Sequence, residues 1–247
     1  MKFYDATNKR AICQKIDRIC DTSDDSYSRL NKTADVNDAL EEIVGDLVNE
    51  DGVLQFDDTN YTTLPRGKGT LVEGQEWFSY ATEYLKVEEV HILNLNNVYQ
   101  KIDQIDEQDL GGLSWEEYFG RDSSGNPNKG FPTKYDVLGD SIRLGLAPAA
   151  ASITLTNGIQ IVFKRTAQLF TAVSTTAEDT TEPGIPSPYH VLLCFKAALN
   201  YCGNYKKDRV PYILGEIEKL EKKLTKHMSK KNPDYRKVMR MKSISFR

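Results

Sequence analysis

No run in this sequence approaches the eighteen or more apolar residues needed to cross a bilayer. The opening residues Met1-Lys2-Phe3-Tyr4-Asp5 carry no apolar stretch of the secretory kind, so synthesis and use in a cytoplasm are expected. Histidine is scarce. His91, His190 and His227 stand apart, with neither His-x-x-x-His nor His-Glu-x-x-His spacing, which removes the usual zinc-hydrolase patterns. Cys13, Cys20, Cys194 and Cys202 form no Cys-x-x-Cys pair. Their spacings lie near two helical turns, so each pair can share a helix face as small buried apolar residues. A zinc site built from two helices is the alternative, although no histidine lies at ligand spacing near Cys13 or Cys20.

Several loops come close to a functional motif and miss it. Arg66-Gly-Lys-Gly-Thr70 lacks the earlier glycine of a phosphate-cradling loop and reads as a solvated glycine-rich loop. The acidic run Asp103, Asp106, Glu107 and Asp109 lacks the alternate ligands of a calcium loop and reads as a solvated loop. Glu116 and Glu117 beside Trp115, Tyr118 and Phe119 could in principle form a glycosidase pair. Packing by Trp115 and Phe119 in a strand or short helix explains the segment better. No catalytic residue, metal or cofactor is therefore assigned.

What is present is an uneven charge. The net charge is −4, yet residues 229–247 hold seven Lys/Arg and one Asp, a balance of +6. The other 228 residues carry −10. An acidic body with a basic tail is a form associated with partner binding. The tail interleaves cations with anchors: Tyr235, Arg236, Lys237, Val238, Met239, Arg240, Met241, Lys242, Ile244 and Phe246. A segment kept disordered by charge would carry few such anchors, whereas an arm that docks into a groove would carry this mixture. Nucleic-acid binding by the tail is the competing reading, and the acidic body opposes it.

Periodicity gives the organisation. Ile12, Ile16 and Ile19, then Val36, Leu40, Ile43 and Leu47, recur at helical spacing over residues 8–49. Thr33 or Asp35 is a plausible N-cap for the second helix, and Gly52 a left-handed stop. From 53 to 181, β-branched and aromatic residues cluster between glycines and prolines. Strand candidates are 53–56, 76–80, 85–92 with a bulge, and 141–144 after a turn at Gly139-Asp140. Residues 152–163 read as a β-hairpin turning on Asn157-Gly158, the dipeptide best suited to a type I′ turn. Ser174 to Pro188 has linker composition.

Helix returns at 189–228. Leu192, Phe195, Ala198 or Leu199, and Cys202 make one stripe, with Gly203-Asn204 as its stop. Asp208 caps the next helix and Pro211 fits its first turn. There Ile213, Ile217, Leu220 and Leu224 form a narrow seam, and Glu218 and Lys222 pair on a charged back. The expected class is α+β. The helices of 1–52 and 182–228 form a bundle, 53–181 is an inserted antiparallel β subdomain, and 229–247 is an extended C-terminal arm.

A run of short elements in this order resembles a known family. Gly130-Phe-Pro-Thr-Lys-Tyr135 is followed by Ser141-Ile-Arg-Leu144 and Pro148, preceded by the strand from Tyr84 to Ile92, and succeeded by Ile185-Pro-Ser-Pro-Tyr-His190 leading into Leu192-Leu193. This resembles the tailed-phage head–tail connector adaptors, also called head completion proteins. The resemblance implies a virion structural protein, assembled in the host cytoplasm, that catalyses nothing. It implies an oligomeric ring, commonly a dodecamer, beneath the portal protein. C-terminal arms (235–246 here) would insert between portal subunits. A downstream neck or tail protein would bind the far face, and double-stranded DNA would pass through the lumen without sequence specificity. Leu192, Phe195, Ile213, Ile217, Leu220 and Leu224 would pack the ring wall or the bundle, and no membrane is involved.

Overall fold

The computed structural model describes residues 1–49, 57–171 and 179–231. In chain order the helices and strands are α1 (Ile12–Cys20), α2 (Arg29–Asn49), β1 (Arg66–Gly69), β2 (Trp77–Ser79), β3 (Tyr84–Leu93), β4 (Tyr99–Gln104), α3 (Trp115–Phe119), β5 (Lys129–Gly130), β6 (Lys134–Leu138), β7 (Ser141–Leu144), β8 (Ala147–Pro148), β9 (Ile159–Arg165), α4 (His190–Tyr205) and α5 (Val210–Lys231). The protein is thus mixed α and β. It divides into a discontinuous helical unit, 1–60 with 167–247, and a contiguous sheet unit, 61–166. The expected stop at Gly52, the strand at 53–56, part of the linker and the tail beyond Lys231 lie outside the described residues.

In the helical unit, α4 is the central element, packed by α1, α2 and α5. The sequence suggested a stripe on this helix, but it is buried nearly all round: Leu192, Leu193, Cys194, Phe195, Ala197, Ala198 and Cys202 are all enclosed. It runs through Gly203-Asn204 to Tyr205. α1 presents Ile12, Cys13, Ile16 and Cys20 to this core and ends where Asp21 turns left-handed, φ 52°. α2 starts a turn before either expected cap. Ser28 Oγ accepts from Asn31 N–H at 3.2 Å, which places the cap there. Thr33 instead donates back to the Arg29 carbonyl within the helix, and Asp35 is taken by the Tyr27 hydroxyl and Asn200. Three residues precede the last helix as a 3-10 turn holding Asp208, and Pro211 sits in its first turn.

The described part of the linker is held by hydrogen bonds and packing. Phe3 N–H donates to Thr181 O at 2.8 Å, and Tyr4 bridges Asp179. The Asp58 carboxylate receives Asn60 N–H and Gln168 N–H, and it packs where a Cβ on Gly184 would stand, so only glycine fits there. Residues 167–171, expected among the strands, join the helices instead. Asn37 bonds both the N–H and the carbonyl of Phe170, and the Phe170 ring stacks on Phe3 at 4.7 Å.

In the sheet unit, seven strands run in the order β1-β9-β3-β4-β6-β7-β2, with a separate pair β5-β8. Most pairs are antiparallel, but β4–β6 and β5–β8 are parallel, which corrects the all-antiparallel expectation. The crossover from β4 to β6 carries the acidic segment as a 3-10 turn whose Leu110 is buried, then α3. Parallel neighbours need such a connection. The core is Val90, Ile92, Ile102, Ile142, Leu144, Ile153, Ile159 and their neighbours.

The hairpin expected at Asn157-Gly158 does not form. β9 pairs with β1 and β3, and Ile153 makes only an isolated bridge to Asn94. The dipeptide does turn the chain, with Asn157 at φ 52° and Gly158 N–H bonded to the Leu155 carbonyl at 3.0 Å. The strand it leads into pairs instead with two strands distant in sequence. The hairpin of this region is β3–β4. It turns at 94–98, where Asn94 Oδ1 accepts from Asn96 and Val98 N–H. The Arg66-Gly-Lys-Gly69 segment is edge strand β1 rather than a loop. Two register shifts in β3 against β9 accompany the expected bulge.

Candidate functional site

The seam on α5 is spent within the chain. Ile213, Ile217 and Leu224 are buried, Leu220 is half-buried, and all four join one cluster with Leu192 and Phe195. The outer face is charged, with Glu216–Lys219 and Glu218–Lys222 ion pairs at 2.7 and 2.5 Å. Two large apolar side chains stay outside: Tyr212 is 63% exposed and Leu214 48%. The arm residues Tyr235 to Phe246 lie outside the described residues.

Beside this seam is a groove of about 350 Å³ between α2 and α5, with α4 beneath. Ile43, Leu47, Leu192 and Leu224 make its apolar lining, and Asp46, Glu221 and Thr225 its polar edge. One helical turn along, Lys196 Nζ bridges Glu42 at 2.8 Å and Glu221 at 2.7 Å. Burial alone would lower the Lys196 pKa. Its hydrogen bonds to the two glutamates outweigh that and raise it. Asp46 lies at the solvent edge, and its pKa is raised because partial desolvation disfavours its charge and Glu42 and Glu221 add repulsion against the pull of Lys196.

The groups that chemistry would use are occupied structurally. Glu117 closes a capping box with Ser114 at the start of α3. Glu116 binds Arg143 and, at 3.2 Å, Arg121. A backbone hydrogen bond and the two arginines hold the Glu116 carboxyl below the usual range, and the Ser114 backbone and hydroxyl hold Glu117 below it, the reverse of what a proton donor to a glycosidic oxygen requires. His190 is buried, with Nε2 at 2.7 Å from the Ile185 carbonyl and Nδ1 against the Met1 amine. Burial lowers its pKa, which keeps the ring neutral. His91 is half-buried against Glu89, and His227 lies against the Tyr189 ring.

All four cysteines are buried thiols. Burial pushes Cys13 and Cys194 up to about 12, far from the reactive thiolate. Cys20 and Cys202 meet across α1 and α4 at 3.6 Å, a packing that the two sequence spacings did not pair. Among the described residues, no three His, Cys, Asp or Glu side chains converge as a metal site. No described helix is long and apolar enough to span a membrane.

The amphipathic α5 and the groove beside it are features of a surface that binds. The comparison with protein families decides which kind. The SU10 adaptor protein family model matches residues 9–216. This chain belongs to that family. It is a phage head–tail adaptor family, structural and not a known enzyme family, so the adaptor is a virion component whose partners are other head or tail proteins. No curated protein matches the chain. The match spans both units and stops within α5, so the densest cation run lies wholly beyond it. Sequence reasoning missed the groove, because Asp46 and Leu47 lie far along the chain from Glu221 and Leu224.

Proposed function

We propose that this adaptor is a subunit of the phage neck, a dodecameric ring that docks beneath the portal protein and links capsid to tail. The family match over 9–216 carries the reading. Residues 189–228 form the ring wall and 229–247 form the arm that reaches between portal subunits. Leu192, Phe195, Ile213, Ile217, Leu220 and Leu224 are used inside the chain, so Tyr212 and Leu214 on the outer face of α5 supply apolar contact to the neighbouring copy. A downstream neck or tail protein binds the far face. The acidic body supports a lumen that passes double-stranded DNA without holding it, since like charge keeps a duplex from adhering. Assembly takes place in the host cytoplasm.

The test is deletion of 229–247. Sedimentation of the truncated chain with portal rings should show co-assembly lost, with helical circular dichroism retained. Full portal binding by the truncated chain overturns the role of the arm. Tail-peptide binding to DNA with a steep salt dependence would favour a nucleic-acid function in its place.

A further inference from the structure

The groove between α2 and α5 joins two features. Its floor is apolar, formed by the largely buried Ile43, Leu47, Leu192 and Leu224. Its edge is acidic. Glu42, Asp46 and Glu221 face a single ammonium, Lys196, which is already shared by the two glutamates. Asp46 is exposed and has no ion pair among the described residues. Such a groove fits an extended segment that alternates apolar side chains with cations. Methionine, unbranched and pliable, suits an irregular apolar pocket of this size.

The chain carries that pattern in Val238-Met-Arg-Met-Lys242. The distance allows the two to meet. Thr225 lies six residues before Lys231, so the groove is about 9 Å back along the helix from there. Residues 238–242 follow Lys231 by seven to eleven positions, a reach of roughly 20–35 Å when extended. A tether this short holds the segment at an effective concentration near the millimolar range.

We propose that the α2–α5 groove holds the adaptor's own C-terminal segment, around Val238–Lys242, until the portal takes it. Methionine side chains fill the groove, and Arg240 and Lys242 meet Asp46 and Glu221. The arm is then sheathed in the free subunit, and portal docking is an exchange of this seat for one on the portal. The inference rests on the docking role proposed for the arm.

The test uses the full chain without portal, labelled with ¹³C at the methionine methyl groups. Its four methionines are Met1, Met228, Met239 and Met241. The Met239 and Met241 signals should lie away from unstructured positions. Asp46→Lys should return them toward those positions, lowering the seated fraction about fivefold. Met228, buried in the helical core, should stay in place and report an intact fold. Tail signals at unstructured positions, unchanged by Asp46→Lys, overturn the proposal. A displacement that grows with protein concentration overturns it too, by making the contact one between chains. Either result leaves portal docking to be judged by the truncation above.

Discussion

The helical unit and the sheet unit bury different cations and hold them differently. Among the helices, Lys32 is fully buried with its ammonium 2.7 Å from both Asp17 and Asp24, and Lys196 sits between two glutamates. In the sheet, Arg143 pairs with Glu116 but also lies by the rings of Trp77 and Trp115, at 5.0 and 4.9 Å, and Arg165 lies over Tyr61 at 3.9 Å. The contrast belongs to the head groups. A compact ammonium needs anions to replace its water, while a flat guanidinium accepts an aromatic face. Arg29 shows this within the helical unit, where it lies over Tyr4 at 4.3 Å.

The contrast breaks most visibly at Lys32. Lys32→Ala should cost about 3 kcal/mol in urea unfolding, since it leaves two carboxylates facing a void. Lys32→Met, which keeps the volume but still leaves Asp17 and Asp24 without their cation, should cost about 2 kcal/mol. Equal losses would mean that the lost charge, common to both variants, and not packing sets the cost. At Arg143, Lys keeps the charge but loses the flat face. Arg143→Lys should cost about 1–2 kcal/mol and weaken the near-ultraviolet tryptophan dichroism.

Alkali should act on the helical unit next. Burial alone would lower the Lys32 pKa, but hydrogen bonds to Asp17 and Asp24 raise it above 10.5. Stability from a raised lysine is present in full below its unfolded value and is lost as pH climbs through the folded one. Tyr27 adds to the loss, because burial and Asp35 hold its hydroxyl protonated above the ordinary 10.0. Thermal unfolding should therefore fall in midpoint above about pH 10.5, and less so in Lys32→Met. The smallest effect is expected at the exposed Glu218–Lys222 pair, where Glu218→Ala should leave the unfolding midpoint unchanged.

Local order was legible in the sequence, and distant pairing was not. Ile12-Ile16 and Ile213-Ile217-Leu224 announce helices because their contacts repeat every turn. Asn157-Gly158 announces a turn for the same local reason. Which strand follows whom depends on partners such as Arg66–Gly69, nearly a hundred residues away. The α2 cap was misplaced because Asp35 had a better partner in Tyr27. For the site, the α5 seam could be read one helix at a time, but the groove needs three helices from both ends of the chain. The order of weak motifs from Tyr84 to Leu193 pointed to the family that the match over 9–216 then showed.

The split of the helical unit around a contiguous sheet also sets a schedule for synthesis. Residues 61–166 have all their strand partners as soon as Arg165 clears the ribosome. The core of α1 and α2 must wait for α4, and the seam for α5. At 5–20 residues per second the stretch from Thr166 to Lys231 takes roughly 3–13 s. Through that interval Ile12, Ile16, Val36 and Leu40 lack the helix that buries them. The helical unit is therefore complete only once its last helix has been made, long after the sheet unit can close.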